Sequence, residues 1–144
     1  MGGVRYTHNM KLEHIGIAVA NLTESEVLLE RLLGRASYKR ETVASQYVTT
    51  SFFTAGDGGA KLELVAAKNN SGPIQRYLDK RGPGIHHLAF EVDDIVAEMQ
   101  RLREDGFELL QNAPTEGADN KLVCFLHPKS TNGVLVEICQ TRRA

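Results

Sequence analysis

Apolar and polar positions alternate along Leu12-Glu13-His14-Ile15-Gly16-Ile17-Ala18-Val19, the two-residue period of a half-buried β-strand. This alternation assigns Ile15, Ile17 and Val19 to a core face and His14, Gly16 and Ala18 to the other. The plan returns at Gly84 to Val92, where His86, Leu88, Phe90 and Val92 form the core set and His87, Ala89 and Glu91 the opposite one. After each strand the period lengthens to that of a helix. Thr23-Glu24-Ser25-Glu26 has the form of a capping box with Leu22 as its staple; Val27, Leu28, Leu32 and Leu33 make the apolar stripe and Gly34 the stop. In the second copy Asp93 or Asp94 is the cap, Ile95, Val96, Met99 and Leu102 the stripe, and Gly106 the stop.

Each helix precedes three further strand-like runs. In the first half these are Thr42-Val43, Tyr47 to Phe53 and Lys61 to Val65, the last two joined by the turn Ala55-Gly56-Asp57-Gly58-Gly59 in a hairpin pattern. In the second half they are Phe107 to Leu110, Leu122 to Leu126 and Val134 to Ile138. Between the halves lies a loop of turn formers and a short helix from Ile74 to Lys80, with Ser71 as cap and Pro73 in its first turn. The chain thus reads βαβββ twice: a tail at 1–9, then one domain at 10–141 with modules at 10–67 and 84–141 and a connector at 68–83.

Composition narrows the partners. A formal net charge of −1 over 144 residues, with no basic stripe, excludes nucleic acid as the main partner. No apolar run is long enough for a membrane span and no signal-like segment opens the chain, so the expected location is the cytoplasm. Cys124 and Cys139 sit inside apolar runs, as free buried thiols do.

The repeat also carries chemistry. His14 and His87 lie 73 positions apart, and Glu63 and Glu137, each between apolar neighbours on the last strand of its half, lie 74 apart. Any one of these residues alone reads as structural or solvated; recurrence at one spacing in tandem modules gathers two imidazoles and two carboxylates on one face. That donor set suits a divalent transition ion. His86, on the core face, and His127, at a strand end, read as structural, and His8 belongs to the tail.

On these residues the chain resembles the vicinal oxygen chelate superfamily, whose tandem modules surround one metal. Within it, residues 10 to 141 are similar to the methylmalonyl-CoA epimerase family through LEHIGIAV, SGPIQRYLDKRGPGIHHLAFEVDDI and FLHPKSTNGVLVEICQ. The last two motifs are the more discriminating, and their absence from glyoxalase I makes that resemblance weaker. The resemblance implies an α+β fold, in which the two modules form a cupped, partly closed, mixed eight-stranded sheet with the metal site in its cleft. It also implies His14, Glu63, His87 and Glu137 as ligands of one divalent ion (Co2+, or Mn2+, Ni2+ or Zn2+), a coenzyme A thioester substrate, and a homodimer in the cytoplasm, or in the mitochondrial matrix of a eukaryote. The implied reaction is epimerisation of methylmalonyl-CoA at C2 by proton abstraction through a metal-stabilised enolate. Some relatives carry a base on the strand after Gln46; that place falls near Thr50, which cannot act as one. Glu63 is therefore expected to combine ligand and acid/base duties opposite Glu137. Lys39, Arg40, Lys61 and Lys129 are candidates for phosphate contacts. The alternatives are a glyoxalase I-type lyase and a metal-free binding or sequestration module.

Overall fold

The computed structural model describes residues 9–56 and 58–143. Most of the expected tail, with His8, and Asp57 of the expected hairpin turn lie outside the described residues. The first half of the chain forms β1 (Lys11–Ala18), α1 (Leu22–Leu33), β2 (Lys39–Val43), β3 (Val48–Thr54) and β4 (Lys61–Ala67). After α2 (Pro73–Arg81) the second half forms β5 (Gly84–Glu91), α3 (Ile95–Glu104), β6 (Thr115–Glu116), β7 (Lys121–Leu126) and β8 (Val136–Thr141). The eight strands of the described residues join one sheet in the order β2-β3-β4-β1-β5-β8-β7-β6. β1 runs parallel to β4, β5 runs parallel to β8, and β1 and β5 meet antiparallel at the seam. Read from either edge the order is the same, so a pseudo-twofold axis passes through the β1/β5 pair.

Alternation along the strands gives the curled sheet two interiors. On one face α1 packs Leu29 against Phe53, Leu64 and Ala66, while α3 packs Ile95, Met99 and Leu102 against Cys124, Leu126 and Ile138. Each such buried aliphatic side chain contributes about 1.5–3 kcal/mol. On the other face Ala18, Val43, Val48 and Val65 close over Ile74 of α2. The face expected to be polar is thus an interior: Ala18 and Ala89 are fully buried and His14 and His87 nearly so. Ile15, Leu88 and Phe90, expected in the core, are only half-buried. The reason is that α1 lies chiefly over β3 and β4, and α3 over β7 and β8, so the outside of the seam receives less cover from the helices.

Several local expectations are corrected. Val27, Leu28, Leu32 and Val96 point outward. Ser25 and Glu26 turn inward instead, because Glu26 accepts a 2.6 Å hydrogen bond from the fully buried Ser51 and pairs with Arg40. Asn21, not Thr23, caps α1, its Oδ1 accepting from the Glu24 N–H at 3.0 Å. Asn21→Ala is accordingly expected to cost about 1 kcal/mol in denaturant titration, and Thr23→Ala clearly less. Gly72 rather than Ser71 precedes α2, because its φ of 91° and the nearby Tyr47 Cβ leave room only for glycine. Asp94, Gly34, Gly106 and Pro73 take the places expected of them.

Phe107 to Leu110 is not a continuous strand. A single bridge joins Leu109 to Leu126, and the edge resumes at β6 beside Leu122 and Val123. Pro114 just before β6 has no N–H to give a ladder, and Gln111 fills the gap by accepting from the Phe125 N–H at 2.8 Å. Cys124 and Cys139 are free and fully buried.

Candidate active site

The sheet order places the four expected residues on its four central strands: Glu63 on β4, His14 on β1, His87 on β5 and Glu137 on β8. The register arranges them in two rows. Phe52, Glu63, Gly16 and His87 lie side by side across β3, β4, β1 and β5; Phe125, Glu137, Ala89 and His14 do so across β7, β8, β5 and β1. The pseudo-twofold exchanges the two rows. Gly16 has a steric reason, since a Cβ there would stand 2.0 Å from His87 Cε1. His14 meets Phe52 edge-on with ring centroids 6.4 Å apart, and His87 meets Phe125 likewise at 6.0 Å.

The side chains converge on one point. His14 Nε2 and His87 Nε2 are 3.1 Å apart, and Glu63 Oε1 lies 3.4 and 3.3 Å from them. Glu137 approaches the same two nitrogens at 3.9 and 3.6 Å. All four residues are buried, at the floor of a cavity of about 620 Å3 whose walls include Thr50, Val65, Val123, Leu135 and the segment from Thr115 to Asp119.

Burial opposes charge on His14, but hydrogen bonds to Glu13 and Glu63 and the charges of Glu63 and Glu137 outweigh it and raise its pKa to about 10. Burial likewise opposes ionisation of Glu63, yet its hydrogen bonds with His14 and His87 hold it down to about 2. For Glu137 burial prevails and the carboxyl is pushed up. His86 is driven down to about 4 by burial and by the charge of His87. The centre therefore draws positive charge into a buried space. One donor atom each from His14, His87 and Glu137 fall within 4.8 Å of one another, with Glu63 alongside. Two imidazole nitrogens facing each other among carboxylates fit a divalent ion.

Other sequence candidates are placed elsewhere or differently. Thr50 is buried in the cavity wall, its hydroxyl given to the Glu41 carbonyl at 3.3 Å. Glu91, expected on the same face as His87, binds Lys121 and Thr141, both at 2.9 Å. His127 caps the turn after β7, accepting from the Lys129 N–H. Lys39 and Lys61 pair with Asp119, Arg40 with Glu26, and Lys129 with Glu108, and none of the four lines the cavity; among the described residues its lysine and arginine side chains are Lys121 and Arg76. Sequence reasoning missed Glu13, whose carboxylate reaches His14 Nδ1 at 3.2 Å, and set aside His86, whose Nδ1 stands 3.0 Å from His87 Nδ1. Both look, from alternation alone, as if they faced the other way.

The profile of the Glyoxalase/Bleomycin resistance protein/Dioxygenase superfamily matches residues 13–125. The ethylmalonyl-CoA/methylmalonyl-CoA epimerase of Cereibacter sphaeroides is 37% identical over 132 residues, 90% of this chain and 97% of that protein. The crystal structure of methylmalonyl-CoA epimerase from Mycobacterium tuberculosis superposes with a TM-score of 0.91 at 33% identity, covering 97% of this chain and 94% of that one. A methylmalonyl-CoA epimerase in complex with methylmalonyl-CoA and NH4+ gives 0.84 at 28% identity over 92% and 94% of the two chains. With the mirrored sheet, the paired histidines and the paired glutamates in place, the chain belongs to the glyoxalase/bleomycin resistance protein/dioxygenase superfamily and, within it, to the methylmalonyl-CoA epimerases.

Proposed function

We propose that this chain epimerises methylmalonyl-CoA at C2, with His14, His87, Glu137 and Glu63 holding one divalent ion and with Glu63 and Glu137 moving the proton. The observation that carries the reading is the pair of glutamates on β4 and β8, which flank the two histidine strands at positions the pseudo-twofold exchanges. Epimerisation needs an acceptor on one side of the α-carbon and a donor on the other. Bound at this centre, a divalent ion supplies Lewis-acid stabilisation of the negative charge that develops on the thioester oxygen.

The chain's own residues supply the rest. One glutamate, ionised, takes the C2 proton, and the electron pair of the broken C–H bond delocalises into the thioester carbonyl. The other, protonated, returns a proton to the opposite face of C2. Without an ion the surroundings hold the Glu63 carboxyl low and push that of Glu137 up, so the two glutamates are not equivalent. Phe52, Phe125, Val65 and Val123 keep the floor apolar around them. Among the described residues no helix is long and apolar enough to cross a membrane. The ion in this reading is Co2+, or Mn2+, Ni2+ or Zn2+, and the working form is a cytoplasmic homodimer.

Assay of the purified protein on methylmalonyl-CoA and on the glutathione hemithioacetal of methylglyoxal decides the reaction. Turnover of the first is expected; turnover of the second alone would transfer the protein to glyoxalase chemistry. Elemental analysis of His87→Ala is expected to show marked metal loss with secondary structure retained. Full occupancy in that variant would remove His87 from the ligand set.

A further inference from the structure

We infer that Glu13 and His86, the residues immediately before the two histidines, are positioning residues, each turned into the cup by its own β-bulge to fix the neighbouring imidazole with Nδ1 engaged and Nε2 free. This rests on the reading of His14 and His87 as metal ligands. In a regular strand, neighbours point to opposite faces, so both residues ought to face away from the cavity. The seam between β1 and β5 is irregular at these two places. Leu12 pairs with Phe90 and His14 with Ala89, which leaves Glu13 as an extra residue; His87 pairs with Gly16 and Ile85 with Ile17, which leaves His86 as another. The pseudo-twofold exchanges these two irregularities. A bulge bends its strand and re-aims a side chain, and both Glu13 and His86 line the cavity.

Contacts at the two positions have the same form and different chemistry. Glu13 Oε1 lies 3.2 Å from His14 Nδ1, and His86 Nδ1 lies 3.0 Å from His87 Nδ1. The partners are themselves held: Glu13 Oε2 by Lys61 Nζ at 3.3 Å, and the His86 ring by Tyr77, edge-on at 4.8 Å. The Tyr77 hydroxyl in turn donates to the Ile85 carbonyl at 2.8 Å. A neutral imidazole that gives its Nδ1–H to such a partner keeps the Nε2 lone pair for an ion. The Nε2 atoms are those that converge, 3.1 Å apart. A carboxylate is the stronger acceptor, so the duplicated modules repeat the ligand but not its support. His14 is the firmly held ligand and His87 the looser one.

The test compares Glu13→Ala, Glu13→Gln and His86→Phe with the unmodified protein. Co2+ affinity is measured by competition with a chromophoric chelator, and side-chain 15N NMR of the Zn2+-loaded proteins reports which nitrogen of each histidine carries hydrogen. Glu13→Ala is expected to weaken Co2+ about 10- to 100-fold. Glu13→Gln keeps an accepting oxygen and should lose less, and His86→Phe should lose less than Glu13→Ala. In the unmodified protein both ligand histidines should carry hydrogen on Nδ1; Glu13→Ala should disturb His14 alone and His86→Phe should disturb His87 alone. Affinities within twofold of the unmodified protein, or hydrogen on Nε2 of both histidines, would overturn the inference. If Glu13→Ala does not fold, Glu13→Gln carries the comparison. An unmodified protein that takes up neither Co2+ nor Zn2+ defeats the metal reading itself, whereas a metal-loaded protein whose affinity and Nδ1 hydrogens the substitutions do not move defeats the positioning alone.

Discussion

Glu63→Gln and Glu137→Gln should each lower epimerisation about 10²- to 10⁴-fold while the protein keeps its fold and its ion. Glutamine retains an oxygen that can coordinate and loses the carboxylate that accepts a proton. Because the pseudo-twofold places the two side chains on strands to either side of the histidine pair, each is expected to serve one face of the α-carbon. The stereochemical outcome follows. In deuterated water each variant should still exchange the C2 proton of one stereoisomer of methylmalonyl-CoA, and the two variants should choose opposite ones. Exchange needs only one working glutamate, whereas epimerisation needs both. Unimpaired epimerisation by Glu63→Gln would leave Glu63 a ligand only. Neither Thr50 nor Glu91 stands ready to replace it, since the Thr50 hydroxyl is committed to the Glu41 carbonyl and Glu91 to Lys121 and Thr141.

The two histidines and two glutamates are legible in the sequence because a duplicated module repeats them at almost constant spacing, and because period-two alternation puts each on the side away from its apolar neighbours. What the alternation does not reveal is which side is the interior. In a cupped sheet the face bearing His14 and His87 is enclosed, while Ile15 and Leu88 beside them are half-exposed. The helix stripe fails for a related reason. Apolar residues occur all round α1, and the inward side is settled by polar bonds, Glu26 to Ser51 and Arg40, that no count of hydrophobic residues contains. Register irregularities at Glu13 and His86 leave no mark in composition or period, so the groups that touch Nδ1 of each histidine come only from the structure. The outer strand of the second half is illegible in another way: Phe107 to Leu110 has the residues of a strand, but the ladder breaks before Pro114 and resumes for two residues at β6.

Gly16→Ala should disable the site about as thoroughly as loss of His87 itself. A Cβ at this position would stand 2.0 Å from Cε1, 2.3 Å from Nδ1 and 2.6 Å from Nε2 of the His87 ring, all too close for non-bonded atoms. Something must move, and the ring can turn more easily than two paired strands can separate. Gly16 does not have a positive φ, so alanine is no conformational burden on β1 and the damage stays local. Thermal unfolding should therefore shift little, whereas displacing His87 by an ångström or more is expected to cost on the order of 10²-fold in turnover, together with metal affinity. Ala89, the twofold-related residue beside His14, already carries a Cβ, so Ala89→Gly should leave the site working. Combining Gly16→Ala with His87→Ala separates displacement from general strain, because residues acting through one another are not additive. The double variant should be no worse in metal uptake than His87→Ala alone. A further additive loss would show that Gly16 acts on the site by some route other than making room for the His87 ring.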